Sequence, residues 1–193
     1  MKAQLAKYIS GICSPFLMVV GFGLWCVAAS VHSTSEFLLY GGLCLLLISG
    51  LPLIYILINM KLGHISDVHV AIREQRTMPF VIATIGAIIL SCIYYFLDAP
   101  RGLIALAVSL VVSGLLFGIL TQFSKVSIHA AAYTGAVIMV AFLINIWLLC
   151  LLFFLPVIIW ARLERKRHNP RQAILAAIIN AICITTTLSI LLR

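Results

Sequence analysis

The sequence predicts an all-α fold, a polytopic transmembrane helical bundle of about six to seven spans that occupies residues 1–193 as one unit. Three observations carry this. Hydrophobic residues make up 64% of the chain and charged residues 9%, against about half and a quarter in a soluble domain. Mean hydropathy is +1.20. Apolar runs recur at the length of roughly 20 helical residues that ~30 Å of hydrocarbon requires, without the ten-residue alternation of a membrane β-barrel.

The apolar runs place spans at about 13–31, 37–58, 80–97, 103–120, 129–145, 147–162 and 172–192. The first follows Lys2 and Lys7 and ends in Val27-Ala28-Ala29-Ser30, which resembles a signal-peptidase site. The run is long for a signal peptide and reads as an uncleaved span. The 59–79 segment has room for a short interfacial helix with Ile65, Val68 and Ile72 on one face, or forms an irregular polar loop. Asp98-Ala99-Pro100-Arg101-Gly102 is a turn between spans. Residues 129–162 exceed one span, so Asn145, near their middle, divides them into a hairpin.

Single residues inside the spans have structural readings. Gly41, Gly42, Gly114 and Gly118 suit close helix packing, and Trp25, Trp147 and Trp160 near span ends suit interfacial anchoring. Asn180 and Thr185–Thr187 suit hydrogen bonds between helices, with cavity lining as the alternative. Cys13, Cys26, Cys44, Cys92, Cys150 and Cys183 all lie in apolar runs without metal-ligand spacing and read as small apolar residues, not disulfides.

The net charge of +8 is distributed unevenly. With seven spans, the N-terminus and the 59–79, 121–128 and 163–171 loops share one side. That side carries eleven of the thirteen Lys and Arg residues, leaving Arg101 and Arg193 opposite. The positive-inside tendency puts it in the cytoplasm. Basic residues flanking spans point to anionic lipid or a lipid phosphate as partner rather than nucleic acid.

Chemistry concentrates in three motif-bearing segments, 59–79, 121–129 and 162–172. In the third, Arg162 is followed six residues on by His168 and then by Gln172, among Arg165, Lys166, Arg167 and Arg171. Guanidinium groups hold phosphate oxygens, and a histidine titrates near neutrality, so it can act as nucleophile or acid. Pro170 suits the first turn of a helix whose N-terminus favours an anion. In the second segment Lys125, Ser127 and His129 alternate ahead of a span. In the first, Arg73 and Arg76 precede Pro79. Taken singly, each is also a juxtamembrane basic patch for lipid headgroups.

Together, over roughly residues 60–192, they resemble the motifs of the type 2 phosphatidic acid phosphatase superfamily, as a divergent bacterial membrane branch. That superfamily carries Lys-x6-Arg-Pro, Pro-Ser-Gly-His and Ser-Arg-x5-His-x3-Asp. Here the third reads Ala161-Arg162-x5-His168-x3-Gln172 and the second Val126-Ser127-Ile128-His129. The first departs most. Pro79 does not adjoin Arg76, and His69 stands seven residues before Arg76 in place of Lys.

The resemblance implies a metal-independent lipid phosphate phosphatase without cofactor. His168 would form a phosphohistidine, Arg162 would hold phosphate oxygens, and His129 would protonate the leaving alkoxide with Ser127 donating a hydrogen bond. Arg76, with Arg73 and Lys125, would complete the anion cradle. Gln172 replaces the Asp that orients the nucleophile. An amide sets the tautomer but supplies no negative charge, and the equivalent change in a serine protease triad costs about 10⁴ in rate. Glu164 and Asp67 are the carboxylates available as substitutes. The rivals are a lipid-phosphate-binding relative without turnover, favoured by Gln172, and a small membrane transporter, disfavoured by spans without deep ionisable groups.

The predicted sidedness has a direct test. Single cysteines at Lys61 and Lys166, in a chain stripped of native cysteines, should react with an impermeant maleimide only from the cytoplasmic side. Labelling of both from outside reverses the orientation.

Overall fold

The computed structural model describes residues 1–68, 70 and 72–193, with Arg73 described by its backbone alone. The chain is an all-α, multi-pass membrane protein. Its α-helices are α1 (Lys2–Ile12), α2 (Pro15–Ser30), α3 (Thr34–Cys44), α4 (Leu51–Lys61), α5 (Thr77–Phe96), α6 (Arg101–Phe123), α7 (Ile128–Leu143), α8 (Leu155–Glu164) and α9 (Pro170–Leu191). A π-helical segment, Leu45–Gly50, joins α3 to α4. 3₁₀ segments at Arg73–Arg76 and Ile146–Phe154 lead into α5 and α8. Five helical stretches are long and apolar enough to cross a membrane, and α1 with α2, bent by 46°, makes a sixth.

Helix starts follow local chemistry. Ser33 and Glu36 form a reciprocal capping box at α3, and Asn169 and Gln172 form another at α9 with Pro170 in its first turn. Each box satisfies two backbone N–H groups that the helix itself cannot. Helix stops are equally local. After α5, the amides of Asp98 and Ala99 return to the carbonyls of Tyr95 and Tyr94, with Asp98 left-handed at φ 49°. This Schellman turn is the bend expected at 98–102.

Helix α7 is the axis of the bundle. It packs against α2, α8, α9 and the 3₁₀ segment that follows it, and twelve of its sixteen residues are buried. A helix of this length spans only about 24 Å, short of ~30 Å of hydrocarbon. Its neighbours surround it, so it does not have to match the lipid. The hairpin break falls where Asn145 predicts it, and the Asn145 side chain caps the next segment by accepting the Trp147 N–H at 3.0 Å. The Ile146–Phe154 segment has no buried residue. A 3₁₀ rise of ~2 Å per residue lets nine residues reach about 18 Å.

The described residues between 62 and 72 take the irregular alternative rather than an interfacial helix. Ile65 and Val70 turn inward onto Ile56, while Ile72 stays exposed. Gln75 fastens the loop by accepting from the Ser66 N–H at 3.1 Å and donating to the His64 carbonyl at 3.0 Å. All six cysteines are free.

Close approach governs the glycines unevenly. A Cβ at Gly114 would meet Thr84 Oγ1 and one at Gly41 would meet Leu24, whereas Gly42 faces open space and Gly118 makes only ordinary contact. The tightest is Gly86, where a Cβ would strike the carbonyl oxygen of Leu47 in the π segment. Gly86→Ala should therefore lower the thermal midpoint in detergent, by the equivalent of about 1–3 kcal/mol. Gly42→Ala should leave it unchanged or raise it slightly. Equal effects from the two would remove the backbone contact as the cause.

Candidate active site

One end of the bundle gathers the chemistry. The start of α5, the end of α6, the start of α7, the end of α8 and the start of α9 meet there. Four predicted residues, Arg76, His129, Arg162 and His168, line one cavity of about 220 Å³. All four are buried, at 3–8% exposure.

Local backbone chemistry sets their positions. Helix α8 ends in a second Schellman turn, where the Lys166 amide donates to Leu163 O at 2.8 Å and the Arg167 amide donates to Arg162 O at 3.1 Å. Lys166 takes the left-handed position at φ 52°. The turn reverses the chain one residue before His168, which folds the imidazole back beside the last turn of α8, where Arg162 stands. Arg76 projects between two segments. Its Nε donates to Val70 O at 2.8 Å and its Nη1 to Val126 O at 3.3 Å. Val70 is β-branched and left-handed at φ 44°, a conformation that costs of order 1–3 kcal/mol and persists only when held.

His168 Nδ1 lies 3.1 Å from the Lys125 carbonyl. A carbonyl only accepts, so Nδ1 carries the proton and Nε2 keeps the lone pair. Burial, then Arg162 and Arg76, lower the His168 pKa to about 4, while the Lys125 carbonyl and the Gln172 side chain act in the opposite direction. The imidazole is therefore neutral at working pH.

Arg162 is the outlier. Its Nε and Nη1 are buried without a hydrogen-bond partner among the described residues. Arg76, Arg165 and Arg167 surround it within electrostatic reach, with Asp67 as a counter-charge. A desolvated guanidinium with unmade hydrogen bonds on a cavity wall calls for an anion.

The other predicted residues differ from expectation. Lys125 has an exposed side chain away from the cavity wall and contributes its carbonyl instead. Ser127 is fully buried as the residue capping α7. Its Oγ has no partner among the described residues and does not line the cavity. Gln172 Oε1 accepts the Asn169 N–H at 3.2 Å within the capping box, so its carbonyl end is committed to the helix start. Glu164 is exposed, and Asp67 instead forms an ion pair with Arg167 at 3.8 Å. His69 and the side chain of Arg73 lie outside the described residues.

Sequence reasoning missed the Lys125 and Val126 carbonyls, because a backbone acceptor leaves no residue-type signal. Among the described residues, no group of three His, Cys, Asp or Glu side chains is placed to hold a metal.

The His168 titration is measurable. In ¹⁵N-histidine spectra its midpoint should lie near pH 4, and Arg162→Gln should raise it by removing a repelling cation. The unfolded chain protonates this histidine near pH 6.5 and the folded chain only near 4. Acidification through that window therefore favours unfolding. A wild-type midpoint at the ordinary histidine value would contradict the burial. Compared with protein-family models, curated proteins and solved structures, the chain matches none.

Proposed function

We propose that this protein is an integral membrane lipid phosphatase. It hydrolyses a phosphomonoester or diphosphate of a lipid through a phosphohistidine, at the cytoplasmic face of a bacterial inner membrane. The observation that carries the reading is the buried, unpartnered guanidinium of Arg162 on the same cavity wall as a neutral His168. The motif resemblance, which includes these two residues with Ser127 and His129, supports the same reading.

The phosphate enters with its oxygens toward Arg162, whose Nε and Nη1 have no partner among the described residues and donate to it. Arg76 adds positive charge from the facing segment. Nε2 of His168 attacks phosphorus, and the Lys125 carbonyl holds the Nδ1 proton while positive charge develops on the ring. The bond from phosphorus to the lipid oxygen breaks. His129, which takes up a proton as the negative phosphate enters beside it, gives that proton to the leaving alkoxide. Water then attacks the phosphohistidine, His129 takes the water proton, and inorganic phosphate leaves with His168 restored. Catalysis here is mainly positioning and charge neutralisation. The lipid tail occupies the apolar part of the cavity.

A second reading, a lipid-phosphate binder without turnover, is favoured by one observation. The nucleophile's Nδ1 faces a neutral carbonyl and not a carboxylate. A neutral acceptor fixes the tautomer but stabilises imidazolium less than a carboxylate does.

Phosphate release from a panel of lipid phosphates separates the two. Wild type should release phosphate. His168→Ala and His129→Ala should each lower kcat by about 10² or more, and Arg162→Gln should lower kcat/KM. Lipid phosphate that binds without being hydrolysed favours the second reading. Release that survives in both histidine variants overturns the phosphohistidine route.

A further inference from the structure

The cavity does not end at the phosphate site. It continues along α6, α7 and α9, past Ser113, Gly135 and Asn180, to Leu106, Met139 and Ile184. Its walls beyond the phosphate site are mostly apolar, with Ser49 turned to the Phe16 carbonyl and one polar level on α6 and α9. There Ser113 Oγ donates to Asn180 Oδ1 at 2.7 Å, and Asn180 Nδ2 donates to the Ala131 carbonyl at 2.7 Å. Asn180 is 4% exposed. Gly135 leaves room for it, since a Cβ there would meet Asn180 Nδ2 at 2.5 Å.

These bonds join α6, α7 and α9 but leave the amide incompletely used. A carboxamide has two N–H donors and two acceptor lone pairs. One N–H and one lone pair of Asn180 have no partner among the described residues. Packing alone would be served by an apolar side chain. A half-used amide on a cavity wall can recognise a polar group of the occupant, and its spare N–H selects an acceptor.

Depth identifies the acceptor. Along α7, His129 and Gly135 are separated by about 9 Å. In a glycerol phosphate, the acyl-ester carbonyl oxygen lies about 8 Å of extended chain from phosphorus. We infer that Asn180, set by Ser113, is a specificity-determining residue whose free N–H donates to an acyl-ester carbonyl of the lipid bound at the phosphate site. The inference rests on the phosphate site proposed above. Beyond this polar level the wall is apolar again, which suits the acyl chain that follows an ester.

The test compares a diacyl glycerol phosphate with its dialkyl ether analogue of equal chain length, which lacks the carbonyls. Wild type should favour the diacyl lipid by about tenfold in kcat/KM, the value of one well-made hydrogen bond. Asn180→Ala should lose that preference by slowing the diacyl lipid alone, and Ser113→Ala should reduce it while keeping the Ala131 bond. The same lipids are also compared by the rise they cause in thermal midpoint, which needs no turnover. A larger rise with the diacyl lipid in wild type, lost in Asn180→Ala, supports the inference even if no phosphate is released. That last result would count against the phosphatase reading alone. Equal treatment of the two lipids by wild type, or equal losses on both in the folded variants, overturns it. If Asn180→Ala does not fold, the wild-type comparison and Ser113→Ala decide.

Discussion

The candidate site depends on the connection between α6 and α7. Its successive carbonyls at Lys125 and Val126 accept from His168 and Arg76 respectively. These acceptors come from a short stretch of non-helical backbone at the end of the bundle. Where such groups are buried away from water they must find partners within the protein. Here the partners are the two side chains that the proposed chemistry needs. The unpaired peptide groups between two helices thereby become the frame that joins α5, α7 and the α8–α9 turn. Arg76 extends the frame to the 62–72 loop through Val70, whose left-handed backbone requires such a restraint.

Against that frame Arg162 is under-satisfied. Burying a cation with open hydrogen bonds costs several kcal/mol unless an ion or dipole compensates. On the proposed reading, its place beside other arginines suits a multiply charged anion and disfavours an occupant without charge. Burial first, and then the same field, keep His168 neutral, so its Nε2 lone pair is free for the proposed attack. An arriving phosphate would reverse the local balance and raise the histidine's proton affinity as negative charge builds beside it.

Much of this was legible from residue order. The Arg162–His168 spacing and the Ser127–His129 pair point to the end of the bundle where the cavity holds its charged and imidazole side chains, and three of the four such residues there come from those two segments. The split at Asn145 was legible too, because a side chain that accepts from the backbone two residues on favours a helix start over a helix interior. Lys125 was misjudged in a way that charge patterns invite. Its ammonium faces outward, and its contribution is a carbonyl that any residue would supply. Ser127 shows a related limit, since identity at a motif position does not report which way a hydroxyl turns. The π segment and the long 3₁₀ run have the same apolar composition as ordinary spans. Residue type therefore carries no warning of them, and only the packing around Gly86 and α7 fixes where they fall.

The π segment at Leu45–Gly50 has an evolutionary implication. A π turn is an α-helix with one residue inserted, accommodated by widening a single turn. Removing a residue there would restore a regular helix but rotate everything beyond it by about 100° about the axis. The face of α4 that carries Ile56 toward Ile65 and Val70 would turn elsewhere, and the loop reaching Arg76 would lose its footing. Length between Cys44 and Leu51 is thus under tighter restraint than identity. The exposed Leu45 and Leu46 can exchange with other apolar residues at little cost, while a one-residue gap would be felt at the far end of the loop, at the arginine that holds it.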